Sequence, residues 1–347
     1  MTSTGRAPAT AGTGRATARA GTNIALVKYW GKRDAALNLP RTGSLSLTLG
    51  ELDTVTTVEL AAGPGADTLV LDGAAERGAA LARVAALLDL VRAGAGRREA
   101  ARVVTRNSFP TAAGLASSAS GFAALVRAAA AAFGLDLAPA ALSALARRGS
   151  GSAARSIFGG FVEMAPGTRA DGADAVAAQL LPPDAWAVRL VVAITTEGPK
   201  AVGSRAGMTA TAASSPLYEA WVTAHAADLA AARAAVAARD LPALGEVAER
   251  NCLGMHATMM TARPALFYWN EATIAAMHAV WALRAAGTGV WFTIDAGPHV
   301  KALCAAADAP RVAAALAAAP GVLRTIVAAP GAGARLEPDA VGTEPAP

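Results

Sequence analysis

Asp295 closes the mostly apolar run Trp291–Ile294 and is followed by a Gly-Pro turn at Gly297 and Pro298. A carboxylate at the end of a core strand is costly to bury unless a cation pairs with it. The candidate partner is Lys28 in the stretch KYWGK, where Lys28, Tyr29 and Lys32 fall within five residues. If the strand before them ends near Trp30, both lysines and the phenol reach one pocket mouth. The alternative is a solvated basic turn beside a core tryptophan. A third stretch, SGSAARS, sets the hydroxyls of Ser150 and Ser152 on either side of Gly151 and puts Arg155 three residues beyond Ser152, on the same helical face. Ser150 suits the N-cap of that helix, whose first N–H groups attract anions. The guanidinium fork of Arg155 matches the two oxygens of a carboxylate. A plain N-cap with a surface arginine is the alternative.

A fourth stretch, PTAAGLASSAS from Pro110 to Ser120, has the parts of a phosphate cradle without the GK[ST] of the commonest one. Gly114 permits an unusual backbone angle, the small side chains let N–H groups approach an anion, and a helix start adds a positive dipole end. Ser117 and Ser118 offer hydroxyls to phosphate oxygens or to Mg2+. A helix N-cap with tight packing accounts for the same residues equally well.

These groups need elements to hold them. The sequence predicts strands over GTNIALVKYWG, SLSLTL, DTVTTVEL and EAARVVTRNSFP, the last leading into the small-residue loop. Helices are expected over Arg77–Gly94, after the loop, and over APAALSALARRGSGSAARSIFG with interruptions at Gly149 and Gly151. A strand, GGFVEMA, follows. From about Trp186 the pattern restarts with the strand AVRLVVAITT, long alanine-rich helices from Ser215 to about Gly287, the strand GVWFTIDAG, a helix over HVKALCAAAD and a last strand, VLRTIVAAPG. Strands and helices mixed without regular alternation indicate an α+β fold. The expected organisation is a disordered tail over 1–18, one half over 19–185, a second over 186–336 and a flexible tail over 337–347.

At 347 residues and 54% hydrophobic, the chain can build a large core, although much of that fraction is alanine. The net charge, 31 − 26 = +5, suits anionic small substrates, and no Lys/Arg run points to nucleic acid. Cys252 and Cys304 form neither a disulfide framework nor a metal spacing and read as buried thiols in a reducing compartment. No uninterrupted apolar run of 18 or more residues has membrane-span character. No His/Cys/carboxylate cluster has zinc spacing. His256 reads as core-lining or as a support behind the residues of the site, and His225 and His278 lie on helical patterns with no evident task.

The small-residue loop resembles the phosphate loop of the GHMP small-molecule kinase superfamily. The stretches NIALVKYWGKRDAALNLP (Asn23–Pro40), FPTAAGLASSASG (Phe109–Gly121), RRGSGSAARSIFGG (Arg147–Gly160) and DAGP (Asp295–Pro298) together resemble the diphosphomevalonate decarboxylase family, from about residue 20 to 336. The resemblance implies a GHMP kinase fold, with a ribosomal protein S5 domain 2-like N-terminal half, a ferredoxin-like C-terminal half and a single deep cleft between them. It implies ATP and Mg2+ as cofactors and diphosphomevalonate as substrate, in a cytoplasmic homodimer without nucleic acid or membrane partners. The nucleotide would contact Asn107, Ala112, Gly114, Leu115, Ala116, Ser117 and Ser118, with Ser117 on the metal. The substrate diphosphate would contact Tyr29, Lys32, Ser150, Gly151, Ser152, Ser204 and Arg205. Arg155 would hold the substrate carboxylate, and Asp295 would orient the tertiary hydroxyl with Lys28 nearby. Two departures stand out: Gly203 occupies a position where the family has a serine, and His299 follows DAGP where the family usually has asparagine. They leave open a relative that decarboxylates another phosphorylated 3-hydroxy acid, or one that phosphorylates a 3-hydroxyl without decarboxylation.

Overall fold

The structure is a computed structural model that describes residues 14–63, 65–108, 117–198 and 201–338. The chain enters on a 13-residue strand, β1 (Arg15–Val27). Its first residues alternate between exposed and buried, with Ala16 and Ala18 inward, and from Ala20 onward every residue is buried. Strand therefore reaches four residues into the stretch expected to be a tail. The period-two pattern is carried by alanines, whose weak hydrophobicity hid it among Arg and Thr. Two short strands, β2 (Lys32–Asp34) and β3 (Leu39–Pro40), form a small ribbon. The stretches expected as two strands are one 17-residue strand, β4 (Ser44–Leu60), which follows β1 antiparallel through two register shifts.

A hairpin, β5 (Thr68–Leu71) and β6 (Ala74–Glu76), leads to α1 (Gly78–Ala95) and β7 (Ala101–Asn107). Three helices follow: α2 (Ser117–Ala132), α3 (Pro139–Gly149) and the single turn α4 (Ala153–Ser156). Strands β8 (Phe161–Met164) and β9 (Ala177–Leu181) complete the first half. Its sheet runs β14-β1-β4-β7-β5-β6, with β8 on the far end of β4 and β9 on β8. Alanines on the buried face of α2 let it lie close against β1 and β4, and Phe122 and Phe133 fill the space between that helix and α1 and α3.

The second sheet begins at β10 (Val188–Ile194). Helices α5 (Ser204–Ser214), α6 (Tyr218–Ala238), α7 (Leu241–Met260) and α8 (Glu271–Ala285) come next, then β11 (Val290–Thr293) and β12 (Val300–Ala305). The stretch HVKALCAAAD is thus mostly strand, and the helix falls one step later, at α9 (Ala309–Ala317). Both faces of β12 are covered, so its buried run carries no alternation to set it apart from a helix. Strand β13 (Arg324–Ala328) gives the antiparallel order β11-β12-β10-β13. The chain then returns to pair β14 (Arg335–Glu337) with the outer half of β1, so the last described strand belongs to the first sheet.

The junction between the sheets is a core in its own right. Ile24, Leu26, Leu45 and Leu47 from the first pack in one cluster with Leu190, Val192 and Leu303 from the second and Leu244 from α7. Three cationic side chains, Lys28, Arg155 and Lys301, are among the largest fully buried side chains of the described residues. Burying one charge is costly; Lys28 and Arg155 line one cavity, and Lys301 pairs with Asp295 on its wall.

Candidate active site

That cavity, of about 490 Å³, opens between the two halves and draws its lining from both: Lys28 and Arg155 from the first, Arg205 and Asp295 from the second. Lys28 is the first residue past β1. Its backbone N–H donates to Asn251 Oδ1 on α7 at 2.8 Å, and its ammonium donates to Ala25 O at 2.8 Å and pairs with Asp295 Oδ1 at 3.0 Å. Asp295 stands two residues past β11, in the turn that leads into β12. Its other oxygen, Oδ2, lies 3.1 Å from the ammonium of Lys301 on β12. Burial alone would push the Asp295 carboxyl up, but the two ammonium groups outweigh it and hold it well below the usual carboxylate range. Sequence reasoning missed Lys301 because it read that stretch as helix. The available signal was a lysine inside the apolar run VKALCA, tenable on a buried strand only beside a counter-charge.

Arg155 is likewise buried, at 2% exposure, yet among the described residues no carboxylate is hydrogen-bonded to it. Its Nε donates to Ser46 Oγ at 2.9 Å, Nη1 to Ser44 Oγ at 2.7 Å and Nη2 to Asn23 Oδ1 at 3.0 Å. Those neutral acceptors on β4 and β1 take three of five N–H groups and fix the plane of the fork. Burial lowers its pKa to about 10, with Asp295 pulling the other way. The guanidinium remains charged at neutral pH and is aimed into the cavity with donors to spare.

At the other end of the cavity the charges are cationic and, among the described residues, have no ion-pair partner. Lys32 donates to Asn38 Oδ1 at 2.5 Å, and burial, then repulsion from Arg205 and Arg83, lowers its pKa to about 8. Tyr29 lines the same wall, its buried hydroxyl has no hydrogen-bond partner among the described residues, and burial raises its pKa to about 12. A Cβ on Gly151 would lie 2.2 Å from that hydroxyl, so glycine lets the phenol close against the loop. Ser150 does not cap the following helix as expected. It ends α3, its N–H donating to Ala146 O, and Ser152 occupies the N-cap of α4. Neither hydroxyl is spent on a cap, and Ser118, Ser150 and Ser152 form a ladder with 3.3 Å between successive Oγ atoms. Ser204 and Arg205 are the first two residues of α5, whose N-cap, Gly203, offers no side chain. Arg83 on α1 was not anticipated. It donates to Gly149 O at 3.1 Å, lies 4.7 Å over the Phe122 ring and lines this cavity and the next.

The second pocket, of about 160 Å³, opens between β5, β7, α1 and α2. Leu69, Val103 and Phe122 make its apolar walls, with Asn107, Ser117 and Ser118 among its polar lining. Asn107 is held by its N–H to Asp72 Oδ1 at 2.8 Å and by accepting from Thr54 Oγ1 at 2.7 Å. Ala112, Gly114, Leu115 and Ala116 lie outside the described residues. Among the described residues no group of three or more His, Cys, Asp or Glu side chains is arranged to hold a metal. A cation near Ser117 would take its oxygens from hydroxyls, water and phosphates, the manner of Mg2+. His299 does not line the cavity. Its Nδ1 accepts from the Thr195 N–H at 3.2 Å, so it supports the β10 end without shaping the substrate space.

Two family profiles match the chain: "Diphosphomevalonate decarboxylase-like N-terminal domain" over residues 20–177 and "Mevalonate 5-diphosphate decarboxylase C-terminal domain" over residues 190–326. The diphosphomevalonate decarboxylase of Aspergillus fumigatus is 40% identical over 296 residues, 80% of this chain and 73% of the relative. The human diphosphomevalonate decarboxylase is 37% identical over 300 residues, again 80% and 73%. Among solved structures, MDDEF in complex with MVAPP, AMPPCP and magnesium superposes with a TM-score of 0.86 at 39% identity, covering 93% of this chain and 98% of that one. The mevalonate diphosphate decarboxylase of Staphylococcus aureus superposes with a TM-score of 0.88 at 36% identity and the same coverage.

Proposed function

Because the chain belongs to the diphosphomevalonate decarboxylase family and shares its GHMP kinase fold, we propose that it carries out the ATP-dependent decarboxylation of (R)-5-diphosphomevalonate, giving isopentenyl diphosphate, ADP, phosphate and CO2, with the cavity residues in the following roles. The observation that carries the reading is the carboxylate of Asp295, set between two buried ammonium groups at a cavity whose other charged lining residues, among those described, are all cationic. A substrate with a carboxylate at one end, a diphosphate at the other and a hydroxyl between them supplies the missing counter-charges. Arg155 takes the substrate carboxylate on its free donors. Tyr29, Lys32, Ser150, Ser152, Ser204 and Arg205 take the diphosphate, with the backbone of Gly151 alongside. Asp295, with Lys28 at its side, faces the C3 hydroxyl between them.

The nucleotide lies in the pocket beside Asn107, with its phosphates toward Ser117 and Ser118 and the loop before them. Mg2+ held at Ser117 and the phosphates would supply neutralising charge for phosphoryl transfer. Such transfer depends on in-line positioning and charge neutralisation more than on a strong base, because its transition state is loose. A carboxylate as weakly basic as Asp295 is suited to that: it orients the O–H and receives the proton late. Arg155, by fixing the carboxylate, then controls when the bond to CO2 lies parallel to the empty orbital developing at C3. The cytoplasmic homodimer belongs to the same proposal, and light scattering on the purified protein measures the oligomeric state.

The reaction is tested with purified protein, ATP, Mg2+ and diphosphomevalonate, following ADP, phosphate and CO2 together. Equal yields of all three are expected. ADP without CO2 would make the protein a 3-hydroxy kinase, and no ADP at all would overturn the substrate.

A further inference from the structure

Lys301 does not line the cavity, yet its ammonium is fully buried and grips the one Asp295 oxygen that Lys28 leaves alone. Beyond that ion pair, the ammonium has no hydrogen-bond partner among the described residues. One lysine would balance the carboxylate. A second buried ammonium is costly, and an apolar residue would suit β12, where Lys301 pairs in register with Val192 and Thr293 on either side.

Resting on the function proposed above, we propose that Lys301 is a positioning residue for the second half of the reaction: by holding Asp295 Oδ2 it expels the proton taken from the C3 hydroxyl, so that the carboxylate is anionic again when positive charge builds at C3. In the first half, the C3 oxygen bonds to Pγ as the bond from Pγ to the departing oxygen of ADP breaks, and the hydroxyl proton moves to Asp295. That proton then passes to a phosphate oxygen. In the second half, the C3–O bond breaks with its electron pair leaving on phosphate, and the C1–C2 bond breaks with its pair forming the C2=C3 double bond as CO2 departs. A protonated Asp295 at that moment would leave Lys28 and Lys301 beside a developing carbocation without the carboxylate that offsets them, a setting in which charge governs rate by orders of magnitude.

The groups that face Asp295 are Lys28 beyond β1, Lys301 on β12, Arg155 on α4, and Cys252 and His256 on α7. Burial lowers the His256 pKa to about 3 and pushes the Cys252 thiol up, so neither changes charge in the neutral range. The proton on Asp295 therefore answers to the two lysines, of which only Lys28 also lines the substrate cavity.

Rapid-quench single turnovers with ATP, Mg2+ and diphosphomevalonate separate ADP formation from CO2 release. In Lys301→Met and Lys301→Gln, CO2 release is expected to fall about 10²-fold and ADP formation less than about tenfold, so that a 3-phosphorylated intermediate accumulates. The substrate KM stays within about threefold, the acid limb of kcat moves up by more than about one pH unit, and Lys301→Arg restores the ratio. A merely structural lysine would lower both steps together and leave the limb in place. CO2 keeping pace with ADP in either folded variant overturns the inference. If neither folds, the wild-type enzyme decides: its CO2-forming step is expected to persist to acid pH, and a limb above about pH 5 overturns the inference. Wild-type enzyme that makes ADP and no CO2 instead overturns the function on which it rests.

Discussion

Asp295 and Lys32 show opposite uses of burial at single residues. Two ammonium groups hold Asp295 ionised far below its ordinary range, so it keeps its charge throughout the neutral range. Asp295→Asn is expected to lower kcat by about 10³-fold while both substrates still bind, as rapid-quench and binding measurements would register. The same change strands two buried lysines without a counter-charge, and breaking a buried pair in this way costs up to about 3–5 kcal/mol, visible as a lower Tm. An asparagine variant of unchanged activity would remove Asp295 from the chemistry. Lys32 lies among cations instead, and its pKa falls to about 8. It loses its charge as pH rises through that value, and the neutral amine no longer attracts a diphosphate. The ratio kcat/KM, which reports the free enzyme, is therefore expected to fall above about pH 8, while kcat holds because bound diphosphate restores the ammonium. Lys32→Arg should remove this limb, since guanidinium does not titrate there. A limb that survives in that variant belongs to another group.

At the scale of elements, the site is built from ends: the last turn of α3, the single turn α4, the start of α2 and the start of α5. The three helix starts leave backbone N–H groups without intrahelical partners, and those of α4 and α5 carry no side-chain cap. Helix α5 gives a clean test. Its N-cap Gly203 has φ −67°, and a Cβ there meets nothing within 4 Å, so neither backbone nor packing requires glycine. Gly203→Ser is expected to keep the fold, gain a few tenths of a kcal/mol as a better cap and lower the KM for the diphosphate substrate severalfold through the added hydroxyl. An unchanged KM would mean that the backbone amide alone already does that work.

At the scale of the molecule, the cavity depends on two sheets held in one core. Leu47 on β4 is fully buried in the cluster that joins them. Leu47→Ala is expected to cost about 2–5 kcal/mol and to lower Tm in a single cooperative transition by calorimetry, because the junction is interior and not a hinge surface. Two separate transitions would show halves that fold independently. The return of β14 to β1 adds a covalent reason for joint behaviour, since the chain closes on the sheet where it began.

Many of the donors that line the cavity were legible as groups in the sequence, because stretches such as KYWGKRD and SGSAARS gather them within a few residues, where backbone geometry alone brings them near one another. The α+β class and most helices could be read from periodicity and from stops such as Gly149. The start of β1, hidden in alanines, and the strand β12, buried on both faces, could not, since neither displays a pattern distinct from its alternatives. Asp295 and Arg155 were recognisable as residues that need partners. The identity of those partners was settled only by tertiary structure: Lys301 for Asp295, and Ser44, Ser46 and Asn23 for Arg155. Local sequence determines which groups sit on one turn or one strand end. Pairings between distant stretches, such as Lys28 with Asp295, are fixed by how the two sheets pack, and the energy of a buried charge depends on what the tertiary structure places within 3 or 4 Å of it.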